Sequence, residues 1–385
     1  MTYADKHDLP PAKILYFITE DWYFYSHRLP LALAAREAGC DVALVTHVNR
    51  HGEAIRRSGI RLIPFDLSRR GVNLISESAM LARLVALYRT EKPDLVHHVA
   101  MKPVLYGSLA ARLTGVPHVV NALAGLGYVF TSGQLKARIL RPVIGGAFRM
   151  ILGGRGSRLI LQNQDDQALF IRKRFIQTER IALIKGSGVD TTVFSPTPEP
   201  PGTPVVMLAS RMLWDKGVKE FVDAARLLKT RGVEARFILV GDTDRHNPCA
   251  IPQEQLKAWH TEGAVEWWGY RKDMSAVFAE SHIVCLPSFY GEGVPKVLIE
   301  AAACGRPIVT TDAPGCREIV KDGVNGLLVP VRTVAELAHA VQRLVEHPGV
   351  RRTMGMKGRE LVVNEFSEQR VVADTMAVYA SLLNS

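Results

Sequence analysis

Ser288-Phe-Tyr-Gly-Glu-Gly-Val-Pro-Lys-Val-Leu-Ile-Glu-Ala-Ala-Ala-Cys-Gly-Arg-Pro307 is the stretch from which the rest of this chain can be read. The apolar run His282 to Leu286 leads into it and reads as a buried strand. Gly291 and Gly293 punctuate a tight loop, and Pro295 stands where a helix would begin, a position proline tolerates well. Glu292 then falls in a strand-to-helix loop and Glu300 about two turns into the helix. The helix N-terminus between them offers unpaired N–H groups and a partial positive charge. Two fixed acceptors around an anion site suit a ligand with a phosphate in the middle and hydroxyls at both ends. A nucleotide sugar has that shape.

Working outward, 385 residues exceed what one hydrophobic core organises, so two domains are expected. A content of 47% hydrophobic and 22% charged residues is ordinary for a soluble globular protein. No apolar run approaches the roughly 20 residues needed to span a bilayer, and Met1 to Pro11 lacks the apolar core of a signal peptide. The five cysteines are widely spaced, with no Cys-x-x-Cys, so neither a zinc site nor a disulfide framework is expected. A cytoplasmic chain with reduced thiols is the simplest reading.

The charge is uneven. Residues 1–200 hold 26 Lys+Arg against 16 Asp+Glu, so the whole net charge of +10 lies in the N-terminal half. No acidic residue occurs between Asp94 and Asp165, and Leu135-Lys-Ala-Arg-Ile-Leu-Arg-Pro-Val-Ile144 mixes cations with large apolar residues. Such a segment is a solvated basic helix, or a surface that docks on anionic lipid headgroups. Nucleic acid is not expected as a partner, because no nucleic-acid motif accompanies the charge.

Strand and helix signals alternate along the chain, which predicts parallel sheets covered on both faces. Ile14–Ile18, Asp41–Thr46, Leu95–Val99, Val116–Asn121 and Leu159–Leu161 read as strands of a first series, and Arg28–Ala38 as a helix. Val205–Ala209, Phe237–Val240, Val265–Trp268, His282–Leu286 and Pro307–Thr310 read as strands of a second, with helices over Val218–Leu228 and Val334–Glu346. The expected organisation is an α/β chain of two Rossmann-like, doubly wound domains facing across a cleft. These are residues 1–195, a Pro-rich linker over 196–204, residues 205–366, and a C-terminal helix over 367–385 packing back toward the first domain. In Ala209-Ser-Arg-Met-Leu-Trp-Asp-Lys-Gly217, Arg211 and Lys216 sit at the end of the second series' first strand. There they supply two cations to a diphosphate.

The Arg-x4-Lys loop, the Glu-x7-Glu loop-helix and the Pro-rich segment between two Rossmann-like halves together resemble glycosyltransferase family 4, retaining enzymes of the GT-B architecture. The resemblance covers nearly the whole chain. Ser26–Pro30, Lys102–Gly107, Gly125–Phe130, Asn163–Asp166, Gly186–Asp190 and Asn247-Pro248 are similar to bacterial enzymes that extend a sugar on an undecaprenyl-diphosphate carrier, N-acetylgalactosaminyl transferases among them. The resemblance implies a nucleotide-sugar donor, UDP-linked, on the C-terminal half. It implies a lipid-diphosphate-linked saccharide acceptor on the basic N-terminal half, at the inner face of the cytoplasmic membrane. It also implies transfer without a metal or other cofactor, since Arg211 and Lys216 would offset charge on the leaving diphosphate. Glu300 would hold the ribose hydroxyls and Glu292 the donor sugar. Amides near Gly293 and Val294 would meet sugar hydroxyls, and those of Val297 and Leu298 the phosphate. Lys296 belongs to the same donor set, and Tyr270 and Arg271 would meet the base.

Two departures from the family pattern bear on the acceptor side. Glu20-Asp-Trp-Tyr-Phe-Tyr25 replaces a Gly-Gly loop, so Trp22 and Tyr23 stack on a carrier-linked sugar or pack the domain edge. Asn121 stands where many members have a histidine. His27, His98 and Lys102 complete the acceptor-side candidates, and alternation places either His97 or His98 in the cleft. Asp242-Thr-Asp244 resembles a manganese-binding pair of another fold, but a loop aspartate more often caps a turn. Two other functions fit the same architecture, a nucleotide-sugar epimerase or hydrolase and a non-catalytic nucleotide-sugar-binding protein.

Overall fold

The computed structural model describes residues 9–67, 74–126, 135–244, 247–289 and 291–385, with the side chains of 74–75 and 135–140 outside the description. Positions 127–130 of the Gly125–Phe130 stretch, Tyr290, and the side chains of Lys136 and Arg138 therefore lie outside the described residues. The chain divides into two compact units, Met1–Gly188 with Glu368–Ser385, and Val189–Ser367.

Within the first unit the described strands are β1 (Lys13–Glu20), β2 (Asp41–His47), β3 (Arg61–Pro64), β4 (Leu95–Val99), β5 (His118–Leu123), β6 (Ser157–Leu161) and β7 (Ile181–Leu183). They form one parallel sheet in the order β3-β2-β1-β4-β5-β6-β7. Strand order reverses between β1 and β4, and a sheet of this kind binds ligands beyond the carboxyl ends at that switch point. The strand expected over Val116–Asn121 begins two residues later. Gly115 ends the helix Met101–Thr114 in a left-handed conformation, and the Val116 amide still donates to the Ala111 carbonyl, which leaves Val116 and Pro117 in the connection.

The C-terminal helix Glu368–Leu383 belongs to this unit. It buries Val371, Val372, Met376, Tyr379 and Leu382 in a core shared with Ile14, Leu31 and Ala35. Each such side chain contributes about 2 kcal/mol of burial.

Within the second unit the described strands are β8 (Val205–Ala209), β9 (Arg236–Val240), β10 (Glu266–Trp267), β11 (Ile283–Leu286), β12 (Ile308–Thr311) and β13 (Gly326–Val329). They too are parallel, in the order β10-β9-β8-β11-β12-β13, with the reversal between β8 and β11. β8 and β11 are buried at every position, which is why they read as unbroken apolar runs. The helix Val218–Thr230 buries Val218, Phe221, Val222, Ala225 and Leu228, one face at helical spacing.

The Pro-rich stretch expected to link the domains is bound to the second unit. Arg306, 2% exposed, donates to the Thr197 carbonyl at 3.0 Å and to Thr197 Oγ1 at 2.7 Å. Arg351, 4% exposed, makes a bidentate pair with Glu199 at 2.7 and 2.8 Å and donates to the Leu344 carbonyl at 3.0 Å. Breaking a buried pair strands its partner, so Arg351→Ala should lower the unfolding free energy of the second unit by about 3 kcal/mol. The neighbouring Arg352→Ala, at a side chain 61% exposed, should change it by less than about 0.5 kcal/mol. Urea unfolding of the full chain, followed by circular dichroism, checks both.

Candidate active site

The two loops singled out in the sequence leave adjacent strands at the second unit's switch point. Arg211 and Lys216 follow β8, and Glu292 follows β11. Lys216 Nζ lies 2.5 Å from Glu292 Oε2, with the two side chains 10% and 17% exposed. Ser288 Oγ donates to Glu292 Oε1 at 2.8 Å, and Thr311 Oγ1 donates to the Ser288 carbonyl. The carboxylate is thus fixed from both sides, with a cation on one oxygen and a hydroxyl on the other.

The backbone holds this arrangement at two glycines. Gly217 has φ +74°, and a Cβ there would stand 2.1 Å from the Pro287 carbonyl oxygen. Gly315 has φ +81°, and a Cβ there would stand 1.4 Å from the Gly293 oxygen. Only glycine allows the two approaches, one between the Lys216 turn and the end of β11, the other beneath the Glu292 loop.

Arg211 is half exposed and pairs with Asp244 at 3.1 Å. Both aspartates of the Asp-x-Asp stretch have partners within the chain: Asp244 holds Arg211, and Asp242 Oδ1 accepts from the Thr243 amide at 2.8 Å. Among the described residues no cluster of three His, Cys, Asp or Glu side chains forms a metal site. Asp215, between the two cations, has a buried Oδ1 without a hydrogen-bond partner. Burial pushes its carboxyl above the usual range and Glu292 adds to the shift, while Lys216 opposes it.

The helix after the loop is Lys296–Ala303, with Pro295 as its cap rather than its first residue. Glu300 is therefore the fifth helical residue, just over one turn in, not two. Burial pushes its carboxyl up to about 7, against the pull of Lys296 at 3.7 Å. The Leu298 amide, expected on a phosphate, donates instead to the Pro295 carbonyl at 3.0 Å. Val294 and Gly293 are buried in the loop itself. Tyr270 is exposed, and Arg271 pairs with Asp273 at 2.9 Å while lying over the Trp268 ring at 5.8 Å. Gly241 and Gly269 tie these two loops together, the Gly241 amide donating to the Gly269 carbonyl at 2.7 Å.

In the first unit, Trp22 and Tyr23 sit on a short helix, Asp21–His27, directly after β1. Trp22 is 36% exposed, while Tyr23 stacks on His27 with ring centres 4.2 Å apart. Phe24 of the same run is fully buried against Tyr16, so the aromatic segment divides between surface and core. Lys102 pairs with Glu77 at 2.9 Å.

His98 and Asn121 are corrected by the structure. Both are fully buried: His98 Nδ1 lies 2.9 Å from Asn121 Oδ1, and its Nε2 lies 3.0 Å from the Tyr88 hydroxyl. Ser108 Oγ also donates to Asn121 Oδ1 at 2.9 Å. Burial pushes His98 down to about 4. Gly107 presses on the ring, since a Cβ there would stand 2.5 Å away. These two residues knit the core beneath the surface and cannot touch an acceptor. His97 is buried as well, against Tyr16 and Tyr379, so alternation points each histidine into one of the layers flanking the sheet.

Ser288, Thr311, Asp244 and Gly315 complete the site and were not singled out from the sequence as donor-site residues. Ser288 lies four residues before Glu292, and its hydroxyl was the one available signal.

Comparison with known proteins fits this geometry. A family model described as glycosyl transferase 4-like matches residues 13–163, and one described as glycosyl transferases group 1 matches residues 203–347. The chain is 27% identical over 340 residues to the N,N'-diacetylbacillosaminyl-diphospho-undecaprenol alpha-1,3-N-acetylgalactosaminyltransferase of Campylobacter jejuni, covering 85% of this chain and 88% of that one. It is 23% identical over 327 residues to the UDP-Gal:alpha-D-GlcNAc-diphosphoundecaprenol alpha-1,3-galactosyltransferase of Escherichia coli, covering 82% of each. The crystal structure of Anabaena HepE in complex with UDP has the same fold, with a TM-score of 0.78 at 20% identity, over 96% of this chain and 100% of that one. The chain belongs to the glycosyl transferases, with a 4-like domain followed by a group 1 domain on the GT-B fold.

Proposed function

We propose that the chain moves a sugar from a UDP-linked donor to a saccharide carried on a polyprenyl diphosphate, with retention of anomeric configuration. The observation that carries this reading is the Lys216–Glu292–Ser288 arrangement at the switch point of the second unit. The substrate classes are those in the names of the Campylobacter jejuni and Escherichia coli relatives. In the reaction the acceptor oxygen bonds to the anomeric carbon as the bond to the diphosphate breaks, and the hydroxyl proton passes to the leaving phosphate. Lys216 and Arg211 offset the charge that develops there, which needs no metal and no further cofactor. Glu292 holds donor-sugar hydroxyls, Glu300 the ribose, and Tyr270 and Arg271 the base. Trp22, Tyr23, His27 and Lys102 line the acceptor side.

The chain acts at the inner face of the cytoplasmic membrane. Among the described residues no helix is long and apolar enough to cross a bilayer. The basic helix Leu135–Ile151 instead exposes Val143 and Met150 beside Arg149, the mixture that an anionic lipid surface attracts.

The direct test supplies nucleotide sugars with a short-chain polyprenyl-diphosphate saccharide in vesicles. The expected result is an acceptor heavier by one sugar, the new linkage having the donor's anomeric configuration by NMR, and formed faster on anionic than on neutral vesicles at low salt. Turnover of the nucleotide sugar that needs no acceptor would instead favour an epimerase or hydrolase.

Glu300 gives a pH signature. Its carboxyl titrates near 7 in the folded chain against an ordinary value of 4.5, so between those values the unfolded chain is ionised there and the folded chain is not. Its contribution to stability therefore falls as pH rises through that window. Donor binding runs the other way, because the ionised carboxylate is the better acceptor for two ribose hydroxyls. Affinity for a UDP-sugar, whose diphosphate does not titrate near neutrality, should rise about tenfold as pH increases through 7. Glu300→Gln should flatten that dependence in a calorimetric titration.

A further inference from the structure

At the carboxyl edge of the first unit's sheet lies a small cavity of ≈ 20 Å³, lined by Arg28, Leu31, His97, Ile184, Ser187 and Thr375 among others. It lies against β4, β5 and β6 through His97, Ala122 and Ile160, beside the C-terminal helix, which lines it with Val371, Val372 and Thr375. Two polar side chains facing it are almost fully buried, Arg28 at 5% and His97 at 1% exposure.

Arg28 Nη1 donates to the His27 carbonyl at 3.0 Å, its Nε has no hydrogen-bond partner, and it forms no ion pair with any described residue. His97 Nε2 is likewise unpartnered. On the other side of the ring, the Tyr16 and Tyr379 hydroxyls are 2.9 Å apart, and the Tyr379 hydroxyl is 2.5 Å from His97 Nδ1. Where the Tyr379 hydroxyl donates to Nδ1, the neutral imidazole carries its one proton on Nε2, facing the cavity. Burial keeps that ring neutral by holding it well below its ordinary pKa. Both unpartnered atoms are then donors, and among the described residues lining the cavity the guanidinium is the one full charge.

A buried cation without a counter-charge is costly, and proteins pair such groups or use them. Arg28 also caps the nine-residue helix Leu29–Glu37, whose first turn faces the cavity through Leu31 and adds partial positive charge. The enclosed volume holds about one water-sized group. It therefore suits one oxygen of a larger anion whose remainder stays outside the cavity.

The geometry points to a phosphate site in the first unit, in which Arg28 and His97 Nε2 grip a single phosphate oxygen. Arg28 supplies the charge, and the neutral histidine, held by Tyr379 from the C-terminal helix, supplies orientation. The phosphate has two sources, the diphosphate of a carrier-linked acceptor or free inorganic phosphate and pyrophosphate. The first source rests on the function proposed above, whereas the site itself does not.

The test is calorimetric titration of the full chain with inorganic pyrophosphate, with saturating UDP present to fill the donor side, for the wild type, Arg28→Gln and Arg28→Lys. Arg28→Gln should weaken pyrophosphate binding by roughly tenfold or more, and Arg28→Lys by less, because it keeps the charge without the fork. UDP affinity should be unchanged in both. Equal pyrophosphate affinity in wild type and Arg28→Gln, or no binding by the wild type, overturns the site and leaves the cavity to water. If Arg28→Gln does not fold, Arg28→Lys decides: weaker pyrophosphate binding supports the site and unchanged binding overturns it. Displacement of pyrophosphate by a short-chain polyprenyl-diphosphate saccharide assigns the carrier as source, and failure to displace it assigns free phosphate. A chain that binds pyrophosphate through Arg28 yet transfers no sugar keeps the site and loses the functional reading.

Discussion

The ion pair between Lys216 and Glu292 is the interaction around which the second unit's site is arranged. Two opposite charges, both mostly withdrawn from water, stand 2.5 Å apart on loops that leave neighbouring strands. Such a pair is a poor source of stability, because desolvation cancels much of the attraction. Its cost is met by placement: parallel strands β8 and β11 deliver both loops to one edge, and Gly217 and Gly315 let the backbones come close enough. Ser288, itself held by Thr311, occupies the second oxygen of Glu292 and removes its freedom to turn away. On the proposed function, a diphosphate arriving here would meet Lys216 already aimed, and Glu292 would exchange its cation for sugar hydroxyls. That is pre-organised electrostatics, in which the reorganisation is done during folding.

The first unit uses buried polarity differently at two neighbouring positions of one strand. His98 is saturated, with Tyr88 on one nitrogen and Asn121 on the other, and it cements the core. His97 is satisfied on one nitrogen only, and the other faces a cavity beside a guanidinium that pairs with no carboxylate among the described residues. Successive residues of a strand point to opposite faces, so adjacent histidines enter separate layers and separate chemistry. The C-terminal helix matters for the second of these, since its Tyr379 hydroxyl meets His97 Nδ1.

Much of this was legible in the sequence. Unbroken apolar runs such as Val205–Ala209 mark strands buried on both faces, and their alternation with helices gives two parallel sheets. The Arg-x4-Lys and Glu-x7-Glu spacings place Lys216 and Glu292 at strand ends, and there the structure joins them. What stayed hidden depends on contacts between distant parts of the chain. Asp244 is thirty-three residues from Arg211, and nothing local says that it is a partner rather than a metal ligand. Asn121 stands where a family histidine would, yet only the packing of Tyr88, Ser108 and Gly107 shows it to be core. The prolines of 195–204 suggested a linker, but two buried arginines from later elements bind that segment to the second unit. The start of the helix at Lys296 rather than Pro295 places Glu300 one residue, about a quarter of a turn, nearer the helix start, a shift that sequence periodicity does not resolve.

The most direct test is a double-mutant cycle on sugar transfer with Lys216→Met, Glu292→Gln and the pair, each checked for folding by circular dichroism. If the two side chains work as one unit, each single variant loses roughly a hundredfold or more in turnover and the double variant is scarcely worse than the poorer single one. Losses that multiply in the double variant, or a single variant with wild-type turnover, would contradict the account.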